Sequence, residues 1–407
     1  MDDVRQAAEA VARRSYGKLV AVLAARTRDV AGAEDALAEA FAAALAEWPD
    51  SGVPRAPEAW LLTVARRRMI DAARRRRTSE ESADVVQLLS EVEAQPEIPD
   101  DRLRLMFACA HPAIDEGVRA PLILQVVLGF DAATIASAFL VAPATMSQRL
   151  VRAKNRIRQA GIPFRVPGRE ELAERLDAVL EAIYAIFAEG WADPAGTQAQ
   201  TRGLAEEAIW LGRLVASLLP GEPEVLGLLA LMLHAEARRA ARRDAQGEFV
   251  PLGEQDPERW STTHIDEAEE LLLTASRMSS PGRFQLEAAV QSVHAARRKA
   301  GVTDWAAIVA LYDALYSLTG SIVVAINRAV AIAEVEGAGV GLAILDSIQG
   351  DARLAQYQPF WAARAELLAR LGDLKAAEAA YEQAIGLEAD GAVRRYLQKR
   401  ALHVRRS

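Results

Sequence analysis

Apolar residues recur in this chain at intervals of three and four, with few strict alternations, and that spacing confines it to helices. Leu37, Phe41, Leu45 and Trp48 follow one another at four, four and three residues, the period of one helix face and not of a strand. Val11, Tyr16, Leu19, Val20 and Leu23 mark a helix before that stretch, and Trp60, Leu61, Val64, Ala65, Met69 and Ile70 mark one after it. Runs rich in Ala, Leu and Arg favour the same outcome, because these residues lose little on entering a helix. The expected fold class is all-α.

At 407 residues the chain exceeds a single core, and 51% hydrophobic with 26% charged residues suits soluble domains with sizeable interiors. Charge divides it further than the net value of −8 suggests. Trp60 to Arg77 holds seven Arg against one Asp; Thr78 to Asp101 holds eight acids and no base. Ala142 to Arg169 holds seven bases and no acid, whereas Glu170 to Ser407 carries a net charge of −10. Pro49 to Pro57, with three prolines and a glycine, is expected to be a loop; Thr78 to Pro99 reads as a flexible acidic linker, and Gly161 to Gly168 as a second joint. Cys109 is the one cysteine, which excludes an internal disulfide and fits a reducing cytoplasm. The acidic start at Asp2 and Asp3 lacks a signal-like apolar segment, and no apolar run approaches membrane-spanning length.

The sharpest local motif runs from Leu128 to Arg158. Asp131 is placed to cap a short helix bearing Ile135, Ala136 and Phe139, and Pro143 stands where a second helix would start. In that second helix Met146, Leu150, Ala153 and Ile157 make one apolar stripe. Thr145, Ser147, Gln148, Arg149, Arg152, Lys154 and Arg156 fill much of the rest. A short helix, a turn and a basic second helix is the layout that reads a DNA major groove. The bland alternative is an amphipathic helix pair with a solvated basic face.

Beyond Glu170 the pattern is helix after helix, with breaks expected around Asp193 to Gly196, Pro220 to Pro223, Gly247 to Trp260 and Ser279 to Arg283. Trp361, Ala365, Leu368, Gly372, Ala377, Tyr381 and Ala384 match one tetratricopeptide repeat, and Ala331 and Ala343 precede Ala365 and Ala377 by one repeat length. Ala389 stands where that pattern has proline.

Taken together, Ala33 to Phe41, Trp60 to Asp71 with Arg74 to Arg77, the acidic tether and the helix pair resemble, in that order, bacterial RNA polymerase sigma factors of the extracytoplasmic-function group. Tyr184 to Trp191, Glu207 to Leu214 and Asn327 to Ala331 look like the subgroup with a long tetratricopeptide-like C-terminal extension. The resemblance implies a domain over 1–77 that binds core polymerase and the minus-ten element, and a linker over 78–101. It implies a helix-turn-helix domain over 102–162 and an extension over 170–407 with repeats near 324–391. Glu34, Asp35 and Glu39 would dock on the β′ clamp helices, and the second domain on the β flap. Trp60, Arg66, Arg67, Arg68, Arg74 and Arg75 would serve the minus-ten region. Thr145, Ser147, Gln148 and Arg149 would read minus-thirty-five bases, with Arg152, Lys154 and Arg156 on phosphates. The extension would bind a protein partner and regulate the DNA-binding half. Leu140 and Ala142 replace a turn glycine and a capping serine of the pattern, Ser147 and Gln148 a lysine–serine pair, and Arg67 an asparagine.

No catalytic, metal or cofactor motif accompanies these features. Cys109 and His111 lack ligand spacing, and His234, His264, His294 and His403 are scattered. Trp191, Trp210, Trp260, Trp305 and Trp361 read as packing anchors, and the Arg238-Arg239 and Arg242-Arg243 pairs as a solvated helix face. The expectation is a non-enzymatic cytoplasmic sigma factor without membrane contact. The rival is a one-component helix-turn-helix regulator with a helical sensor domain, and a helical scaffold with incidental basic faces is third.

Overall fold

The computed structural model describes residues 2–27, 29–75, 102–139, 141–165, 167–192 and 203–406. Among them every regular element is a helix and none is a strand. The expected acidic linker, the expected break at Asp193 to Gly196 and Leu140 lie outside these residues. None of the described helices is long and apolar enough to cross a membrane. The chain divides into two compact units, Met1–Ile186 and Phe187–Ser407.

The first unit begins with α1 (Asp2–Thr27), α2 (Val30–Ser51) and α3 (Pro57–Arg75). Asp29 caps α2, its carboxylate accepting from the Gly32 amide at 3.0 Å. The helix runs through Pro49 to Ser51, so the loop is shorter than the three prolines suggest. A proline in a last turn forfeits a single hydrogen bond, and the Gly52 amide closes the helix on the Trp48 carbonyl at 2.9 Å. Trp48, 1% exposed, and Leu37 and Leu61, fully buried, fill the space between these helices.

In the same unit follow α4 (Arg102–Cys109), α5 (Glu116–Leu128), α6 (Ala132–Ala138), α7 (Pro143–Gln159) and most of α8 (Arg169–Ala192). Helix α1 packs on α4 and α5 as well as on α2 and α3, and α2 packs on α7, so the first and second expected domains share one body. Gly17 permits this: a Cβ there would stand 1.8 Å from the Val127 carbonyl oxygen, so only glycine lets α1 approach α5. Beside it the ring of the neighbouring Tyr16 covers Gly129, which ends α5 in the left-handed region at φ 72°.

The second unit contains α9 (Leu204–Leu218), α10 (Pro223–Ala237), α11 (Thr262–Ser276), α12 (Arg283–Ala300), α13 (Trp305–Thr319), α14 (Ile322–Glu336), α15 (Ala338–Ile348), α16 (Gln358–Arg370), α17 (Leu374–Leu387) and α18 (Gly391–Arg406). The gaps after α9 and α11 and the irregular stretch before α11 fall at expected breaks. Ala365, Leu368, Ala377, Tyr381 and Ala384 are buried together between α16, α17 and α18, with Trp361 packed against them. Gly372 makes the turn between α16 and α17 at φ 80°. Two expectations fail here. Trp210 is 42% exposed and not a core anchor, and Arg242 is 9% exposed, its guanidinium 3.5 Å from the centre of the Trp191 ring. The chain turns through a short 3-10 helix at Arg239–Ala241 instead of continuing α10, which folds this arginine inward.

His234 is 2% exposed, and burial, reinforced by the charge of Arg238, holds its imidazole down at about 4. Its nearest carboxylate is Glu269, 3.5 Å away. In the unfolded chain the same group titrates near 6.5 and binds the extra proton between those limits. Stability carried by His234 is therefore complete above about pH 6.5 and lost as the pH falls through about 4. Urea unfolding across pH 4–7 is expected to show it, and His234→Gln to flatten the profile by up to about 1.4 kcal/mol per pH unit. A slope unchanged by the substitution would contradict this burial-driven titration.

Candidate nucleic-acid interface

Helices α6 and α7 are set by local chemistry. The Asp131 carboxylate accepts from the Ala133 and Thr134 amides, both at 2.8 Å, which caps α6 and holds that carboxyl below its ordinary range. Pro143 opens α7, and Ala142 contributes no side-chain cap. Met146, Leu150, Ala153 and Ile157 are buried, so the opposite face is fixed outward. Thr145, Ser147, Gln148, Arg149, Arg152 and Arg156 are all exposed on it.

Arg149, Arg152 and Arg156 line a cleft of about 540 Å³ whose other wall is Ala113, Ile114, Asp115 and Val118. Arg156 donates to the Ala113 carbonyl at 3.4 Å, which steadies one edge of it. Three guanidiniums one helical turn apart around an open cleft have the donor chemistry that phosphate oxygens accept.

Lys154 is turned the other way. Its Nζ lies 2.7 Å from Glu34 Oε2, and the two side chains are only 15% and 12% exposed. Glu34 thus belongs to an interior cluster and not to a free acidic face. Burial raises its carboxyl, and Lys154 and the Tyr16 hydroxyl, which donates to it, act against that rise. The same burial, with Glu34 and Asp35 nearby, pushes the Tyr16 hydroxyl up. Cys109 is fully buried beside the pair, its thiol raised by desolvation and then by Glu34. At the end of α7 the exposed Arg158 lies 3.6 Å from Asp29, a second and more solvated ion pair between α7 and the start of α2.

The remaining acids of α2 behave differently. Asp35 is exposed, and Glu39 is exposed but 3.4 Å from Arg68 of α3. On α3 Trp60 stacks edge-on against Trp48 with ring centres 5.5 Å apart, so it is held by the core beneath it. Arg67 and Arg68 face solvent and Arg66 is half-buried. Arg74 and Arg75 close α3, and their side chains lie outside the described ones. His111 serves its own turn, its Nδ1 accepting from the Ala113 amide at 3.0 Å.

Sequence reasoning missed Tyr16, Gly17, Asp29 and Cys109 as parts of this site. Gly17 carried a signal, since a glycine inside a helical pattern marks close approach of another backbone.

Residues 11–79 match the profile of sigma-70 region 2, and residues 175–276 match a family of unknown function, DUF6596. The sigma-70 match spans α2, α3 and most of α1, and ends before α4. An uncharacterized protein of Rhizobium meliloti (strain 1021) is 39% identical over 382 residues, covering 91% of this chain and 90% of that protein. No solved structure matches. The chain belongs to the family of that Rhizobium meliloti protein, and its sigma-70 region 2, the part that binds core RNA polymerase and promoter DNA, makes it a sigma factor of transcription initiation.

Proposed function

We propose that the chain is a sigma factor of the extracytoplasmic-function group that reads two promoter elements and acts by binding alone, without catalysis, in the cytoplasm where the polymerase works. The carrying observation is α7, whose buried stripe leaves Thr145, Ser147, Gln148, Arg149, Arg152 and Arg156 all outward. In this reading its N-terminal part enters the minus-thirty-five major groove, with Arg149 on a base edge and Arg152 and Arg156 on phosphates. Helix α3 serves the minus-ten region through Trp60 and the arginines Arg66, Arg67, Arg68, Arg74 and Arg75. Asp35 and Glu39, exposed on α2, meet the β′ clamp helices, and the helix pair meets the β flap. The helical region after Gly168, with its tetratricopeptide-like pair α16 and α17, is a regulatory module that binds a protein partner.

The pairing of Glu34 with Lys154 supports one refinement. A residue assigned to polymerase and a residue assigned to DNA neutralise each other inside one body, so the described arrangement is a resting form. Engagement of core polymerase then separates α2 from α7 and releases both groups. The differential affinity of polymerase for the separated form supplies the energy.

Run-off transcription with purified core polymerase tests the main reading. Initiation with no other sigma present is the expected result. Stimulation only alongside another sigma would move the chain to the one-component regulators, and no effect would leave a scaffold. Arg149→Ala is expected to cost roughly 1–3 kcal/mol of promoter affinity and to relax discrimination at one base pair; Arg152→Ala should weaken all sequences alike and lower the salt slope by about one. Lys154→Ala removes the cation from a buried carboxylate and is expected to cost about 3 kcal/mol in urea unfolding. Replacing both partners with apolar residues, Lys154→Met with Glu34→Leu, should recover most of that loss. Equal losses in the single and double variants would refute a coupled pair.

A further inference from the structure

Among the described residues of the second unit, Arg238 is a half-buried guanidinium that no carboxylate neutralises. Arg238 follows α10 and is half-buried, with one edge open to solvent. Its guanidinium donates to the Gln291 amide oxygen of α12 at 2.6 Å and is paired with no carboxylate among the described residues. The groups that face it are cationic or neutral: Arg297, Tyr312, His234 and His294. Burial, and then Arg297, hold the Arg238 guanidinium down at about 10.

The acids nearby are committed elsewhere. Glu236 binds Arg239 at 2.7 Å, Glu287 binds Arg283 at 2.8 Å, Glu269 accepts from Ser292 at 2.6 Å, and Asp390 binds Arg243. Arg297 itself spends its N–H groups on the carbonyls of Leu252, Gly253 and Gln255 at 2.9–3.1 Å, so it brings charge but no acceptor. Other polar atoms of this unit lack partners as well: Arg243 Nε and Nη1 and both ring nitrogens of His234 are buried without hydrogen bonds among the described residues. A desolvated guanidinium without a counter-ion is costly, and the described residues offer none here.

We propose that Arg238, with Gln291, His294 and Arg297 around it, is a binding site for a small oxyanion of the carboxylate or phosphate type. A planar fork of N–H donors fits two oxygens of such a group, which a single amide oxygen satisfies only in part. Trp305, edge-on to His294 with ring centres 5.7 Å apart, and Tyr312, packed on the same apolar cluster, place aromatic rings on the neighbouring helix. The site lies wholly in the second unit and is independent of promoter reading. The residues 175–276 that match the family of unknown function contribute His234 and Arg238 to it, and α12 and α13 contribute the remainder.

The test is thermal unfolding and titration calorimetry of the full chain in sodium phosphate, sodium citrate and sodium chloride, at one pH and matched ionic strength. A saturable rise of the unfolding midpoint in phosphate or citrate, absent in chloride, is expected, and the anion that acts assigns the ligand type. Exclusion of strongly hydrated salts from the surface stabilises every variant alike, so the comparison with Arg238→Met isolates the site. That variant is expected to bind the active anion at least about tenfold more weakly, the scale of one charged hydrogen-bonded contact, while keeping or raising its midpoint in chloride. Arg238→Lys, which keeps the charge but loses the fork, should fall between, and decides the matter if Arg238→Met does not fold. Arg353→Ala, in an exposed pair with Asp351, should respond as the wild type does. Equal midpoints of the wild type in all three salts, or an undiminished response in the Arg238 variants, would overturn the proposal.

Discussion

The N-terminal unit turns on one ion pair, Lys154 with Glu34, which joins residues 120 positions apart at 2.7 Å in the interior. Such a pair adds little net stability, because stripping water from both charges offsets their attraction. Its effect is on geometry. Only one placement of α7 against α2 satisfies the carboxylate, and Tyr16 from α1 completes its hydrogen bonding. The Gly17 approach to Val127 then fixes α1 on α5, and Asp29 with Arg158 fixes the far end of α7. The exposed face of α7, to which base reading is proposed, is thus oriented from behind by a contact with the domain that carries sigma-70 region 2.

The helix pair was legible in the sequence because each of its determinants is local. Asp131 bonds within its own turn, Pro143 acts at a first position, and the stripe from Met146 to Ile157 repeats at helical spacing. The same logic overreached at Pro49, where a proline in a last turn was tolerated. It was blind to Glu34 and Lys154, which look like two ordinary surface charges until the fold brings them together. Charge alone carries no label for burial. Arg242 was misread for that reason: the paired arginines resemble a solvated face, and a short 3-10 turn instead sends one under Trp191.

The C-terminal half shows why net charge is a poor guide to a surface. Its net charge of −10 reads as an acidic surface. Many of its acids are spent locally: Glu366 on Arg400, Glu248 on Arg395 and Lys399, Glu378 and Glu382 on Arg405, and Asp346 on Arg364. These pairs staple neighbouring helices, or in the case of Glu248 the stretch before α11 to α18, and the exposed ones contribute little each. Meanwhile Arg238 is half-buried with an amide oxygen and no carboxylate as partner among the described residues, a feature invisible to composition.

In the proposed function the closed α2–α7 contact is the resting form, and polymerase binding is the event that opens it. The most direct measurement is a distance between labels at the exposed positions Ala38 on α2 and Val151 on α7, each changed to Cys in a Cys109→Ala background. A single short distance in the free protein, lengthening when core polymerase is added and seen to bind, is the predicted result. A short distance that persists in the polymerase complex would contradict it.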